Sequence, residues 1–198
     1  MTAAESSNFQ KYQTGNPLMQ RIIQRFLNEV VETACQLDPD SIVDLGCGEG
    51  IVAGMLRAEM PNAGYLGLDL SETAIHTATV LQPGLEFRVG NVLDPVADPG
   101  CAELVLCLEV VEHLDEPDEA VARVMEWTSR YALISVPWEP WFRMGNFLRG
   151  RHIRRLGNHP EHIQQFTPRL FSALLGRHAE SHRVWTCFPW ILGLVEIR

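Results

Sequence analysis

Apolar residues in this chain recur in two rhythms, and the rhythms alternate. Leu18, Met19, Ile22, Ile23, Phe26, Leu27, Val30, Val31 and Ala34 fall at intervals of three and four, the wide stripe of a core-facing helix. Asn16-Pro17 supplies a capping side chain and a first helical residue, and Asp38-Pro39-Asp40 breaks the run, so a helix is predicted over 16–36. Short apolar runs follow at Ile42–Leu45, Tyr65–Leu68, Leu85–Val89, Glu103–Leu108 and Tyr131–Val136, each of strand length. Helical segments separate several of them: Ile51–Met60, a segment capped by Ser71 and running to Leu81, and one opened by Pro117 and running to Ser129. Strand-helix alternation at this spacing predicts right-handed crossovers and a mostly parallel sheet with helices on both faces. The rhythm stops between Trp138 and Phe166, a stretch longer than ordinary connections and of the kind that forms lids or binding loops. It resumes with a helix from Thr167-Pro168 to Gly176, then two strands, Val184–Phe188 and Ile191–Ile197, close enough around Pro189 to pair antiparallel.

Composition narrows the class. A chain of 198 residues suits one domain with a substantial core, and 46% apolar with 21% charged residues is ordinary for a globular protein. The net charge of −9 argues against a general nucleic-acid binder. Five cysteines, at 35, 47, 101, 107 and 187, lack metal-type spacing and fit a reducing compartment. The segment Thr2–Gln13 has no apolar signal core, and no apolar run approaches ~18 residues, so a cytoplasmic protein is expected.

The chemistry gathers at Ile42-Val43-Asp44-Leu45-Gly46-Cys47-Gly48-Glu49-Gly50, a buried strand running into a glycine turn and a helix. Glycines at 46, 48 and 50 allow a sharp turn and close approach of a ligand to the main chain. A dinucleotide fingerprint would need glycine at 51, where this chain has Ile51. Asp44 would also repel a pyrophosphate, since like charges about 4 Å apart cost several kcal/mol even at an effective dielectric of ~20. The same carboxylate suits a ligand carrying an ammonium and a sulfonium, as S-adenosyl-L-methionine (SAM) does. The stretch resembles the first motif of class I SAM-dependent methyltransferases. Asp69 one strand later and Glu109-x-x-Glu112-His113 after the fourth strand strengthen the resemblance, which extends over essentially the whole chain.

The resemblance implies a Rossmann-like α/β fold: a seven-stranded, mostly parallel sheet with helices on both faces and a final antiparallel strand. It implies one domain over 1–198, with the N-terminal helix and an acceptor-side lid at 138–166. It places Asp44 near the methionine ammonium and the main chain of Gly46, Cys47, Gly48 and Gly50 around the amino acid moiety. It places Asp69, with Leu70 beside it, on the ribose hydroxyls, Asn91 and Val92 on the adenine, and Leu108 and Glu109 beside the transferred methyl group. Phe9, Lys11 and Tyr12 are weaker candidates for a cover over the cofactor.

Glu109, Glu112 and His113 admit two readings. In a helical turn their spacing puts all three on one face, a plausible divalent-metal set with His159 or His162 as a fourth ligand. The pattern also occurs in family members without metal, with the histidine as pocket wall or base. The site adopted here contains no metal, and His113 and His162 are the candidate bases. The insertion carries Trp138, Trp141, Phe142, Phe147 and Leu148 among Arg143, Arg149, Arg151, Arg154 and Arg155, against only Glu139 and Glu161 up to His162. A basic, aromatic lid on an acidic protein predicts a small-molecule acceptor with an anionic part and a ring or lipid-like part. The same composition suits peripheral contact with an anionic membrane, or a solvated lid whose aromatics pack on the core. The expected activity is methyl transfer to a small or medium-sized acceptor at oxygen. The alternatives are a metal-assisted RNA 2′-O-methyltransferase and a non-catalytic SAM-binding module.

Overall fold

The structure is a computed structural model, and it describes residues 16–94, 98–138 and 165–197. The first helix, α1 (Pro17–Leu37), begins where the sequence places it: the Asn16 side-chain oxygen accepts from the Leu18 and Met19 amides at 3.0 and 3.4 Å. Ile23, Phe26, Leu27, Val30, Val31 and Ala34 are buried, whereas Leu18 in the first turn is 65% exposed. The chain then runs β1 (Ser41–Leu45), α2 (Ile51–Glu59), β2 (Gly64–Asp69), α3 (Glu72–Leu81), β3 (Glu86–Val89) and β4 (Ala102–Leu108). A single 3-10 turn, Val111–His113, precedes α4 (Pro117–Trp127) and β5 (Thr128–Pro137). After the insertion come α5 (Pro168–Leu175), β6 (Ser181–Cys187) and β7 (Trp190–Glu196).

The seven strands form one sheet in the order β3-β2-β1-β4-β5-β7-β6. Strands β1 to β5 pair in parallel, β6 runs in the same direction, and β7 lies antiparallel between β5 and β6. The α/β sheet predicted from the alternation is therefore present. Several ends differ: α4 gives way to β5 at Thr128, before the predicted limit of Ser129, and β6 starts three residues earlier than Val184. At the first junction Thr128 Oγ1 accepts from the Arg130 amide and donates to the Tyr131 carbonyl, which turns the chain from helix to strand without a glycine.

Both sheet faces are covered, so β1, β4 and β5 are apolar on both sides rather than alternating. One face packs Val43, Val105 and Ile134 against Val121 of α4 and Phe171 of α5. The other packs Ile42, Leu104 and Leu133 against Val30 of α1 and Leu56 of α2. Phe26 of α1 stacks on Trp190 of β7 at 4.5 Å between ring centroids, pinning the N-terminal helix to the antiparallel end. Truncating such a buried aromatic to alanine costs about 3–5 kcal/mol. Parallel strands β3, β2, β1 and β4 consequently release their loops at one edge, the edge where open α/β sheets bind ligands.

Candidate active site

The turn after β1 is held against β2 by main-chain bonds: the Gly46 and Cys47 amides donate to the Leu68 carbonyl at 2.7 and 3.0 Å. Gly46 has φ 83°, and a Cβ there would collide with Val110 Cγ2, so only glycine fits beneath the segment leaving β4. Gly48 has φ 54°, and a Cβ there would meet nothing within 4 Å. Its main chain is thus open to a ligand. Gly50, left-handed at φ 75°, caps α2.

Asp69 ends β2 beside this turn, half-buried. One carboxylate oxygen accepts from the Gly48 amide at 2.9 Å and the other from the Ser71 amide at 2.8 Å. The side chain is therefore locked between the glycine turn and the start of α3, with lone pairs left on both oxygens. Next to it Leu70 is 73% exposed. A fixed pair of acceptors beside an apolar side chain in open space fits a ribose with a base next to it.

Asp44 is only 2% exposed, and its Oδ2 accepts from the Tyr65 hydroxyl at 2.8 Å. Burial pushes its carboxyl up to about 7, against the opposing Tyr65 bond and with a further push from Asp69. Burial first, then Asp44, Asp69 and Glu49, push the Cys47 thiol far up, so Cys47 is no thiolate nucleophile. Beyond β3, the Asn91 side-chain oxygen accepts from the Leu93 amide at 3.0 Å, which leaves its NH2 group as the donor. Val92 is half-buried against the core.

At the end of β4, Leu108 packs on the α1 side of the sheet, and Glu109 adopts φ 60° while its amide donates to the Ser135 carbonyl at 3.2 Å. A non-glycine residue in this region is uncommon and concentrates at functional turns. The shared helical face expected for Glu109, Glu112 and His113 does not form. Glu109 lies outside the 3-10 turn, Glu112 is fully buried, and the His113 side chain is 34% exposed with Nε2 3.9 Å from Glu112 Oε1. One turn of 3-10 helix is too short to align three positions three and four apart. Among the described residues no set of three His, Cys, Asp or Glu side chains gathers as a metal site.

Trp138 bridges Phe166, and its amide donates to the Pro189 carbonyl at 2.9 Å, so the insertion leaves and rejoins the fold beside the carboxyl end of β5. Residues 139–164 lie outside the described residues, and with them His159, His162 and the arginines. Phe9, Lys11 and Tyr12 do too. No described helix is long and apolar enough to cross a membrane. In the sequence Tyr65 reads only as a strand residue. Its partner becomes visible once β1 and β2 pair with Ile42 opposite Tyr65 and Asp44 opposite Gly67.

Comparison with known proteins agrees with the fold. The family model described as "Methyltransferase domain" matches residues 43–131. The chain is 40% identical over 76 residues to a release factor glutamine methyltransferase of Enterococcus faecalis, covering 35% of this chain and 27% of that protein. It is 31% identical over 120 residues to a ubiquinone biosynthesis O-methyltransferase of Bordetella pertussis, covering 58% and 46%. The chain spans less than half the length of these curated relatives. Among solved structures, the methyltransferase domain of bacterial CtHen1 superposes with a TM-score of 0.73 at 20% identity, covering 89% of this chain and 98% of that one. The magnesium protoporphyrin IX methyltransferase of Synechocystis, with bound S-adenosylhomocysteine, gives 0.72 at 18% identity, covering 98% and 95%. Sheet order and these matches together show that residues 43–131 are similar to a methyltransferase domain and that the chain has the Rossmann-like fold of class I SAM-dependent methyltransferases.

Proposed function

We propose that the chain is a cytoplasmic enzyme that transfers the methyl group of SAM to oxygen on a small or medium-sized acceptor. The Asp69 carboxylate carries this reading: main-chain amides of Gly48 and Ser71 hold it with both oxygens still able to accept. When bound, SAM supplies a methyl group made electrophilic by the sulfonium that carries it. The chain then mainly positions the two reactants, an effect that reaches ~7–11 kcal/mol. In this reading Asp69 accepts from the ribose hydroxyls, the Asn91 NH2 donates to the adenine edge, and Leu70 and Val92 form apolar walls. Asp44 and the main chain of Gly46, Cys47, Gly48 and Gly50 hold the amino acid end, while Leu108 and Glu109 border the methyl group.

Transfer to oxygen requires removal of the acceptor proton. His113 is the described candidate, an accessible imidazole beside the buried Glu112, and His162 is the candidate within the insertion. Oxygen as the accepting atom is supported by the 31% identity to ubiquinone biosynthesis O-methyltransferases. The whole of 1–198 acts as one domain, and the insertion 138–166 selects an acceptor with an anionic or lipid-like part. Calorimetric titration with SAM, followed by transfer of labelled methyl to a panel of phenols and carboxylic acids, tests the reading. Absence of SAM binding sinks it, and binding without turnover on any acceptor favours a non-catalytic module. A metal-assisted reading, including transfer to an RNA 2′-hydroxyl, rests on the adjacency of Glu112 and His113. We expect full turnover in excess chelator. Loss of turnover with chelator and its restoration by a divalent ion would replace the base role of His113 by a ligand role.

A further inference from the structure

The cofactor-side carboxylate Asp44 sits deeper than a ligand-binding carboxylate needs to, and it is not alone there. It points with Ile42 toward the face covered by α1 and α2, where Val30, Val52 and Leu56 are apolar. Its side-chain donor among the described residues is Tyr65, at 2.8 Å. Tyr65 lies one pleat back on the neighbouring strand, opposite Ile42, and the position directly opposite Asp44 on that face is Gly67. A Cβ at Gly67 would come within 2.7 Å of Phe87 Cδ1 and 2.8 Å of Cys47 Sγ, so the missing side chain makes room for both groups beside the tyrosine. Phe87 meets the Tyr65 ring edge-on at 5.8 Å and fixes it from β3. Burial, then the Asp44 carboxylate, push the phenol above its ordinary range, so the hydroxyl stays protonated and can donate.

We propose that Tyr65 is a positioning residue of the cofactor site, its hydroxyl anchoring the Asp44 carboxylate and so setting the pH range in which the cofactor ammonium is held. The proposal rests on the reading of the ligand as SAM. The titratable groups whose fields couple to Asp44 are Asp69 at the end of β2, Cys47 in the glycine turn and Cys107 on β4. Burial keeps both thiols protonated, so among the described residues Asp69 is the charge that acts on Asp44. The Asp44 carboxyl already lies at about 7 with the Tyr65 bond opposing the effect of burial. Removing the hydroxyl moves it further up. Ammonium binding favours the ionised carboxylate, so affinity falls as pH drops through the carboxyl's midpoint, and in Tyr65→Phe that fall occurs at higher pH.

The experiment is calorimetric titration of SAM into the full chain and into Tyr65→Phe between pH 5.5 and 9. The Asp44 carboxyl is followed in parallel by carbon NMR in the ligand-free proteins. The expected result is a midpoint about one unit higher in the variant by both measurements. That corresponds to roughly tenfold weaker binding on the acidic limb and recovery toward the parent value at high pH. If Tyr65→Phe weakens binding equally at every pH, or the Asp44 midpoint does not move, the proposal is overturned and the SAM reading survives. If the parent protein binds no SAM at all, the cofactor reading falls first and this inference with it. Should Tyr65→Phe fail to fold, Asp44→Asn decides. Binding must then be weak and nearly flat with pH, and a parent-like pH profile in Asp44→Asn overturns the proposal.

Discussion

The two halves of the sheet are built on different terms. On the β3-β2-β1-β4 side, parallel strands end together, and polar groups are set by main-chain bonds: Asp69 to the Gly48 and Ser71 amides, the glycine turn to the Leu68 carbonyl. On the β5-β7-β6 side β7 runs antiparallel to both neighbours, Ile134, Leu192 and Phe171 are fully buried, and Trp138 and Phe166, at the two ends of the insertion, bridge each other. The family model ends at residue 131, within β5, the first strand of the second half. A ligand common to a family calls for groups fixed by backbone geometry, because backbone bonds tolerate changes of side chain elsewhere. An acceptor that differs between proteins calls for a replaceable segment on a rigid base.

The largest expected effect breaks the first half outright. Gly46→Ala places a methyl group against Val110 in a left-handed conformation, and should cost about 3 kcal/mol or more in urea unfolding while abolishing SAM binding. A parent-like unfolding midpoint would mean that the close approach of the two turns is not required.

Next comes the cost of the buried carboxylate. The unfolded chain ionises Asp44 near 3.8, while the folded protein keeps it protonated up to about 7, so folding takes up a proton between those values. Its contribution to stability is therefore lost as pH rises across that window. Asp44→Asn stays neutral, and should be more stable than the parent at pH 8 by on the order of 2–4 kcal/mol, with the gain shrinking toward pH 4. Denaturation of the ligand-free proteins at several pH values reads this out. An Asn variant less stable than the parent at pH 8 would show that Asp44 is better solvated than its burial implies.

A smaller effect sharpens the division between the halves. Asp69→Ala should weaken SAM by about 1.5–3 kcal/mol, the scale of hydrogen bonds to a charged group, while leaving the acceptor KM in place. Unchanged SAM affinity would remove Asp69 from the ribose role. Replacing Arg151, Arg154 and Arg155 together should do the reverse. The acceptor KM rises several-fold, more at low salt than at high, and SAM affinity stays constant. Equal loss of both ligands from a folded triple variant would end the comparison. Weaker binding to anionic vesicles with unchanged kinetics would make the insertion a membrane-surface element.

Local chemistry in the sequence determined the elements and their punctuation. Asn16 and Thr167 cap helices whose first residue is proline, Ser71 caps α3, and the Phe188-Pro189 turn joins the antiparallel pair, because each device acts within a few residues. The glycine turn and Asp69 were legible for the same reason: a strand end, a turn and an acidic residue are local signals. Lateral register decided the rest. Which side chain of β2 meets Asp44 depends on pairing across the sheet, and Tyr65 becomes its partner because Gly67 opposite Asp44 has no side chain. The Glu109 to His113 segment shows the limit from the other direction. Helical spacing puts three groups on one face, but the segment forms a single 3-10 turn in which Val111 and Glu112 are buried and His113 is half-buried. Periodicity is a property of the chain, whereas burial is a property of what the chain packs against.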